Sequence, residues 1–249
     1  MSDFSIFRDI TRYGNGTEMN RINIIIAAAA LWLTACAAPP APTSTPIPTP
    51  TPQERLDRGA QAMLDMQSAK FTLIREGEPA TLDPSLGLTF SEARGAYQAP
   101  DRIEATIKVG LLGNVLEIQM LWLPEGNYMT NPLTQTFLST PPELSFDVAA
   151  LFSAEGFPQV LQGGIQQAEF VASEDLEGTQ ADHLRGKADG ATLAPLTAGA
   201  LAPGVLYPVD VWMEEASGNL LRVHITEPTD NGWLIDLFDI DVPVEISSP

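Results

Sequence analysis

The regular alternation of apolar and polar residues is the feature that most constrains how this chain can fold. In residues 103–109 an apolar side chain occupies every second position, with polar or charged side chains between. The alternation resumes in residues 116–122, after a turn at residues 110–114 that contains two glycines and an asparagine. A repeat of two is that of a β-strand with one covered face, so the runs predict an antiparallel hairpin with one apolar and one polar face.

Similar runs extend the sheet to about ten or eleven strands. We predict the other strands at residues 71–75, 89–97, 127–130, 136–138, 168–172, 181–187, 209–214, 220–226 and 233–240.

Apolar residues at helical spacing are rarer than those at strand spacing. Residues 53–67 carry an apolar stripe at helical positions, made of Leu56, Ala60, Met63 and Leu64, and short helices are predicted at residues 148–152 and 159–161. Residues 193–206, which prolines and glycines interrupt, are either a short helix or a mobile flap.

These elements predict an α+β fold, a large curved antiparallel sheet, or half-barrel, wrapped over a few helices. The apolar face of such a sheet has to be covered. Because a few short helices cannot fill the concave side of a large curved sheet, we expect a hydrophobic cavity there. An apolar cavity usually holds a ligand.

An export signal precedes this part of the chain. Residues 22–32 form an apolar run of about 11 residues, too short to span a bilayer but typical of a signal peptide. The run leads into Leu33-Thr34-Ala35-Cys36, which has the form of a bacterial lipobox. We therefore predict a signal peptide over residues 1–35 and lipid attached to Cys36. We expect translation to start at Met19, because residues 1–18 are long and polar and carry acidic side chains.

The only cysteine of the chain could instead be a buried thiol, but prolines follow it within four residues and argue against burial. A diacylglyceryl group on Cys36 would be a firm anchor. Residues 36–52 then form a tether rich in Pro and Thr, which in the polyproline II conformation could reach about 50 Å. Residues 53–249 are predicted to be the folded domain, held at the outer face of the cell membrane.

Charge and missing motifs exclude several classes of function. The net charge of −19 disfavours nucleic acid and repels an anionic bilayer. His183 and His224 are the only histidines and lie at no metal-ligand spacing, so we expect no metal, no cofactor and no catalytic site. Asp236, Asp239 and Asp241 could hold calcium, but without an EF-hand loop a solvated strand face is the better interpretation.

Several short motifs occur in an informative order. They are Met63-Leu64-x-Met66-x-Ser68-x-x-Phe71, Tyr97-Gln98-Ala99-Pro100-Asp101-Arg102-Ile103, Pro208-Val209-Asp210-Val211-Trp212-Met213-Glu214 with Gly218-Asn219-Leu220-Leu221-Arg222, and the sequence of residues 238–246. With the lipobox and tether, this order resembles the LppX/LprAFG lipoproteins, which are similar in fold to the LolA/LolB carriers. The resemblance covers most of residues 53–249. It implies a hydrophobic cavity that binds acylated lipid, and carriage of that lipid in the cell envelope.

The predicted ligand is a diacyl or triacyl lipid, glycolipid or phospholipid, bound by a monomer that works with the membrane and with an envelope transporter. The side chains expected to line its cavity are Leu56, Met63, Ile103, Ile107, Leu116, Ile118, Met120, Trp122, Val148, Leu151, Phe152, Val209, Val211, Leu221, Val223 and Ile225. The alternative is a non-carrier interaction or accessory module whose own side chains fill the cavity. An ordered plug at residues 193–206 would favour this alternative, and a mobile flap would favour the carrier.

Overall fold

The structure, a computed structural model, describes residues 49–141 and 148–249. Its longest helix, α1 (Pro52–Asp65), begins at a capping box. The Thr51 hydroxyl accepts a hydrogen bond from the Glu54 amide at 3.2 Å, and the Glu54 carboxylate accepts one from the Thr51 amide at 2.7 Å. Both bonds satisfy amides that the first turn of a helix leaves unpaired. The predicted stripe is buried except for Leu64.

The described strands form one antiparallel sheet of twelve. In chain order they are β1 (Ser68–Glu76), β2 (Ala80–Asp83), β3 (Leu88–Gln98), β4 (Arg102–Leu111), β5 (Asn114–Leu123), β6 (Gly126–Thr130), β7 (Phe137–Ser139), β8 (Gln166–Leu176), β9 (Thr179–Asp189), β10 (Leu206–Glu214), β11 (Leu220–Thr226) and β12 (Gly232–Phe238). The sheet is open and antiparallel, as predicted. The strand that the alternation did not predict is β2, a short run that pairs only with β3.

The order of strands across the sheet is β7-β6-β5-β4-β3-β1-β12-β11-β10-β9-β8. Neighbours in space are therefore neighbours in sequence except at the centre, where β1 pairs with both β3 and β12. The predicted hairpin of β4 and β5 has the expected register, with Ile103 opposite Trp122 and Ile107 opposite Ile118. Each such pair places two apolar side chains on the same face.

The remaining helices of the described residues are short and lie on the same side of the sheet as α1. They are Val148–Phe152, α2 (Phe157–Gln159) with the wider turn Val160–Gly164, and α3 (Gly190–Leu193) with the turn Ala194–Leu196. Helix α1 contacts α2, the Val160–Gly164 turn, β8 and β11, whereas residues 148–152 contact β4. The helices thus bridge strands from both halves of the sheet.

One continuous apolar cluster occupies this side, which we name the inner face. It includes Met120 of β5 and Leu184 of β9, seven strands apart. On a flat sheet these residues would be about 33 Å apart. Their place in one cluster with the few helices is expected of a sheet that curves around them. The core residues of the described ranges lie between residues 56 and 246, so residues 49–249 contain a hydrophobic core of their own.

The chain leaves the sheet earlier than predicted, at Phe238 rather than residue 240. Asp239 and Asp241 have φ of 49° and 58°, which a continuing strand does not allow. The last residues then cross the outer face, where Arg102 donates to the Ile246 carbonyl at 3.1 Å. Ile246 is buried in a second, smaller cluster with Ala96, Leu121 and Leu123.

Candidate functional site

The predicted cavity-lining residues meet on the inner face, with one exception. Those buried in its cluster are Leu56, Met63, Ile103, Ile107, Met120, Trp122, Val148, Leu151, Val209, Val211, Val223 and Ile225. Leu116, Ile118 and Phe152 pack against the same cluster and are only partly buried. The inner face is therefore a continuous apolar surface, and its binding of lipid stays a prediction.

The exception is Leu221, because the structure places Leu220 on the inner face instead. Between Trp212 and Met213 the pairing of β10 with β11 shifts register, so that Met213 lies opposite Leu220. Leu220 is buried in the core, whereas Leu221 lines a groove on the outer face. A bulge adds a residue to one strand and exchanges the two faces beyond it. Simple alternation along residues 220–226 could not reveal the shift.

Aromatic side chains close one part of the inner face. The ring of Phe152 stacks on Tyr97 with centroids 4.4 Å apart and also contacts Phe71 and Phe157. Burial raises the pKa of Tyr97, whose hydroxyl donates to the Pro100 carbonyl at 3.3 Å. Tyr97 is therefore neutral at physiological pH. Its ring contributes to the apolar inner face, and its hydroxyl group has a hydrogen-bond partner.

Residues 190–205, which we name the plug segment, fill another part of the concave side. Leu193, Leu196 and Leu201 are buried in the core cluster. The Asp189 side chain accepts hydrogen bonds from the Ala191 and Gly204 amides at 2.8 and 3.2 Å and so closes the segment at its base. Of the two predicted states, a short helix and a mobile flap, the structure contains short helices with these leucines buried.

Burial of the inner face falls towards one end of the sheet, which we name the turn end. Here lie the β2–β3 and β4–β5 turns, at residues 84–87 and 112–113. Along β5 the inner-face side chains Trp122 and Met120 are buried, whereas Ile118 and Leu116 are half-exposed. Leu82 and Leu88 on the neighbouring strands are also only partly buried. At the turn end, part of the apolar face is therefore only partly covered by the chain's own side chains.

A buried ion pair joins α1 to the sheet. The guanidinium of Arg55 contacts the Asp182 carboxylate, and the two side chains are only 11% and 1% exposed. Asp182 also accepts a hydrogen bond from the Ser173 hydroxyl at 3.0 Å, and Arg55 lies 4.8 Å from the Phe170 ring centre. The pair was not predicted. Its one sequence signal is that Asp182 occupies an inward position of β9, where an unpaired charge would be costly.

Both histidines have carboxylate partners on the outer face. His183 Nε2 lies 2.6 Å from Asp210 Oδ1, and the His183 ring stacks on Trp212 with centroids 4.3 Å apart. Arg185 donates to the same Asp210 oxygen at 2.8 Å. His224 Nε2 lies 2.8 Å from Glu76 Oε2. The His183 contacts link the neighbouring strands β9 and β10, whereas the His224 contact joins β11 to β1 across β12.

A groove of about 560 Å³, lined by both polar and apolar side chains, lies on the outer face near the β8–β9 and β10–β11 turns. Arg222 donates to Asp236 at 2.5 Å and to Glu177 at 3.4 Å, and the bond to Asp236 is the main cause that raises the Arg222 pKa. Asp236 and Asp239 both line the groove, whereas Asp241 accepts a hydrogen bond from the Gln67 amide. In residues 49–141 and 148–249 no group of three His, Cys, Asp or Glu side chains could hold a metal ion.

Comparison with known sequences identifies the family of proteins to which this fold, with its apolar inner face, belongs. The model of the LppX_LprAFG lipoprotein family matches residues 51–246, and the chain belongs to this family. A lipoprotein of this family is a lipid-anchored protein of the cell envelope. The predicted signal peptide, and the predicted lipidation of Cys36, lie outside the described residues and stay predictions. None of the helices described by the structure is long and apolar enough to cross a membrane. Comparison with curated proteins found no match.

Solved structures of two mycobacterial lipoproteins have the same fold. LprF from Mycobacterium bovis superposes with a TM-score of 0.65 at 18% identity, over 81% of this chain and 98% of that one. LppX from Mycobacterium tuberculosis gives a TM-score of 0.56 at 12% identity, over 79% and 98% of the two chains. At such low identity the likeness establishes the fold alone.

Proposed function

We propose that this lipoprotein binds acylated lipid against the inner face of its sheet and carries or accepts that lipid within the cell envelope. The observation that carries the proposal is the continuous apolar inner face, which is only partly covered at the turn end. Apolar burial stabilises a bound chain by about 25 cal/mol per Å². Selectivity should therefore follow the length and volume of acyl chains more than the head group.

The acyl chains would enter at the turn end, beside Leu116 and Ile118, and displace side chains that now fill the concave side. The plug segment is the part best suited to move. It is attached at both ends to strands, its helices are short, and its packing in the core comes from three leucines. A lipid chain in the place of these leucines would cover the apolar surface that the segment leaves exposed when it moves.

The anchor and tether explain how such a domain would work. Lipid on Cys36 would hold the protein at the outer face of the cell membrane, and residues 37–51 would allow the domain to reach both the bilayer and a partner transporter. The acidic surface, with a net charge of −19 for the chain, would keep the domain from lying flat on anionic lipid.

Native mass spectrometry of residues 37–249, purified from a bacterial host without detergent, tests lipid binding. We expect an added mass that organic solvent extracts as lipid. Replacing half-buried Ile118 with Trp should fill the entrance and reduce loading severalfold. Gln119→Trp is the matched control, because Gln119 is exposed on the opposite face of the same strand. Equal loading of both variants would contradict this entrance.

The ordered plug supports a second candidate, an accessory module whose cavity is filled by its own side chains. Burial of Leu193, Leu196 and Leu201 is the observation that favours it. The same experiment separates the two. A lipid-free mass that persists when phospholipid or diacylglycerol is offered would favour the accessory module and contradict the carrier.

A further inference from the structure

The two adjacent turns at the turn end are uncharged in a strongly acidic protein. Residues 84–91 and 109–116 contain no Asp, Glu, Lys or Arg, although the chain has a net charge of −19. The Asp83 carboxylate, beside the β2–β3 turn, is turned into its own loop. It accepts hydrogen bonds from the Ser85 hydroxyl and amide at 2.6 and 2.8 Å, which lower the pKa of Asp83. No charged side chain therefore lies on either of these two turns.

Large apolar side chains protrude from the same turns. Leu112 is 81% exposed, Val115 is 73% exposed and Leu86 is 45% exposed. Leu88 pairs with Leu111, which brings the β2–β3 and β4–β5 turns side by side. Leu112 also reaches to 3.9 Å from the position that a Cβ on Gly87 would occupy. Single exposed leucines are ordinary on a protein surface, but three apolar side chains on adjacent uncharged turns form a patch.

We propose that the turn end docks onto a lipid bilayer, with Leu86, Leu112 and Val115 entering the interface. The anchor keeps the domain at a membrane, and residues 37–51 can span about 45 Å when extended. That reach exceeds the roughly 33 Å length of a ten-residue strand, so the tether allows the turn end to face the bilayer. The purpose of docking rests on the proposed lipid function, since the partly buried residues Leu116 and Ile118 of the inner face lie at the same end.

Charge favours a bilayer reached by apolar contact rather than by electrostatic attraction. An acidic domain is repelled by anionic lipid, and the two uncharged turns add nothing to that repulsion. Docking should therefore be as strong on zwitterionic as on anionic vesicles, or stronger. Added salt should leave it unchanged or strengthen it, the opposite of docking through basic residues.

Vesicle flotation tests the proposal with residues 37–249, which contain the whole described core and no attached lipid. The probes are phosphatidylcholine vesicles and vesicles that also contain phosphatidylglycerol. Replacing Leu112 and Val115 together with Glu should reduce the bound fraction at least about tenfold, because two apolar side chains no longer enter the interface. Leu64→Glu is the matched control, since Leu64 is 53% exposed on α1, away from the turns.

A second variant, Leu112→Ser with Val115→Thr, removes the apolar groups without adding charge and should also lose binding. Near-ultraviolet circular dichroism confirms that each variant is folded. The proposal is overturned if the wild type fails to float, if both turn variants float like the wild type, or if light scattering shows that the patch instead pairs two copies. Lipid content of the same variants is measured separately, so lost docking with normal loading leaves the proposed function intact.

Discussion

At the scale of single residues, the buried pair of Arg55 and Asp182 gives a sharp prediction. Replacing Arg55 with Met would leave the Asp182 carboxylate buried without its cation, and we expect the free energy of unfolding to fall by about 3–5 kcal/mol. Changing Arg55 to Met and Asp182 to Leu together should recover much of this loss, because no charge then remains buried. Urea unfolding of the two variants measures both effects.

Lys70→Met is the control for this experiment. It breaks the ion pair with Asp239, whose two side chains are 47% and 45% exposed, and should change stability by about 1 kcal/mol or less. A loss as small for Arg55→Met as for the control would show that the Arg55–Asp182 pair is not important for stability.

Residue positions were predictable from the sequence wherever alternation was unbroken. The inward positions of β4 and β5, such as Ile103 and Trp122, follow directly from it. Leu221 does not, because the bulge on β11 depends on pairing between strands and not on either strand alone. The Arg55–Asp182 contact joins residues 127 apart in sequence, and local patterns contain no information about it.

At the scale of elements, close packing at Gly95 predicts how the centre of the sheet responds to a small change. Gly95 lies on β3 opposite Phe71, and a Cβ there would be 2.0 Å from the Glu104 carbonyl oxygen and 2.9 Å from the Phe71 ring. Because the nearest atom belongs to the backbone, Gly95→Ala should force strands apart and lower stability by about 1–3 kcal/mol. Arg94 is exposed on the same strand, so Arg94→Ala is the control and should change stability little. Thermal unfolding compares the two variants. Equal melting temperatures would contradict the prediction.

Elements with strong periodicity were predicted well, and those defined by tertiary contacts were not. Helix α1 and the β4–β5 hairpin were found near their predicted limits. The four-residue strand β2, between Pro79 and Pro84, is too short for alternation to be recognised. In residues 193–206 the sequence left a short helix and a flap open, because the choice depends on whether Leu193, Leu196 and Leu201 find room in the core.

At the scale of the whole molecule, the curved sheet and its filling are two separate features. Alternation predicts the sheet, and the small number of helices predicts that its concave side needs further covering. Whether lipid or the chain itself supplies that covering depends on volumes that no sequence pattern records. The structure shows the plug segment inside, and the proposed function requires that lipid can take its place.

Truncating the plug tests this exchange directly. Leu196→Ala removes a fully buried side chain, and the lipid-free protein should lose about 2–5 kcal/mol of stability. If lipid occupies the same space, the variant should retain more lipid than the wild type, and offered phospholipid should restore part of its melting temperature. Leu161→Ala, buried beside α1 rather than in the plug, is the control and should lose stability without gaining lipid. Equal lipid content in the wild type and both variants would mean that the plug fills the inner face permanently, and the accessory module would then be the better description.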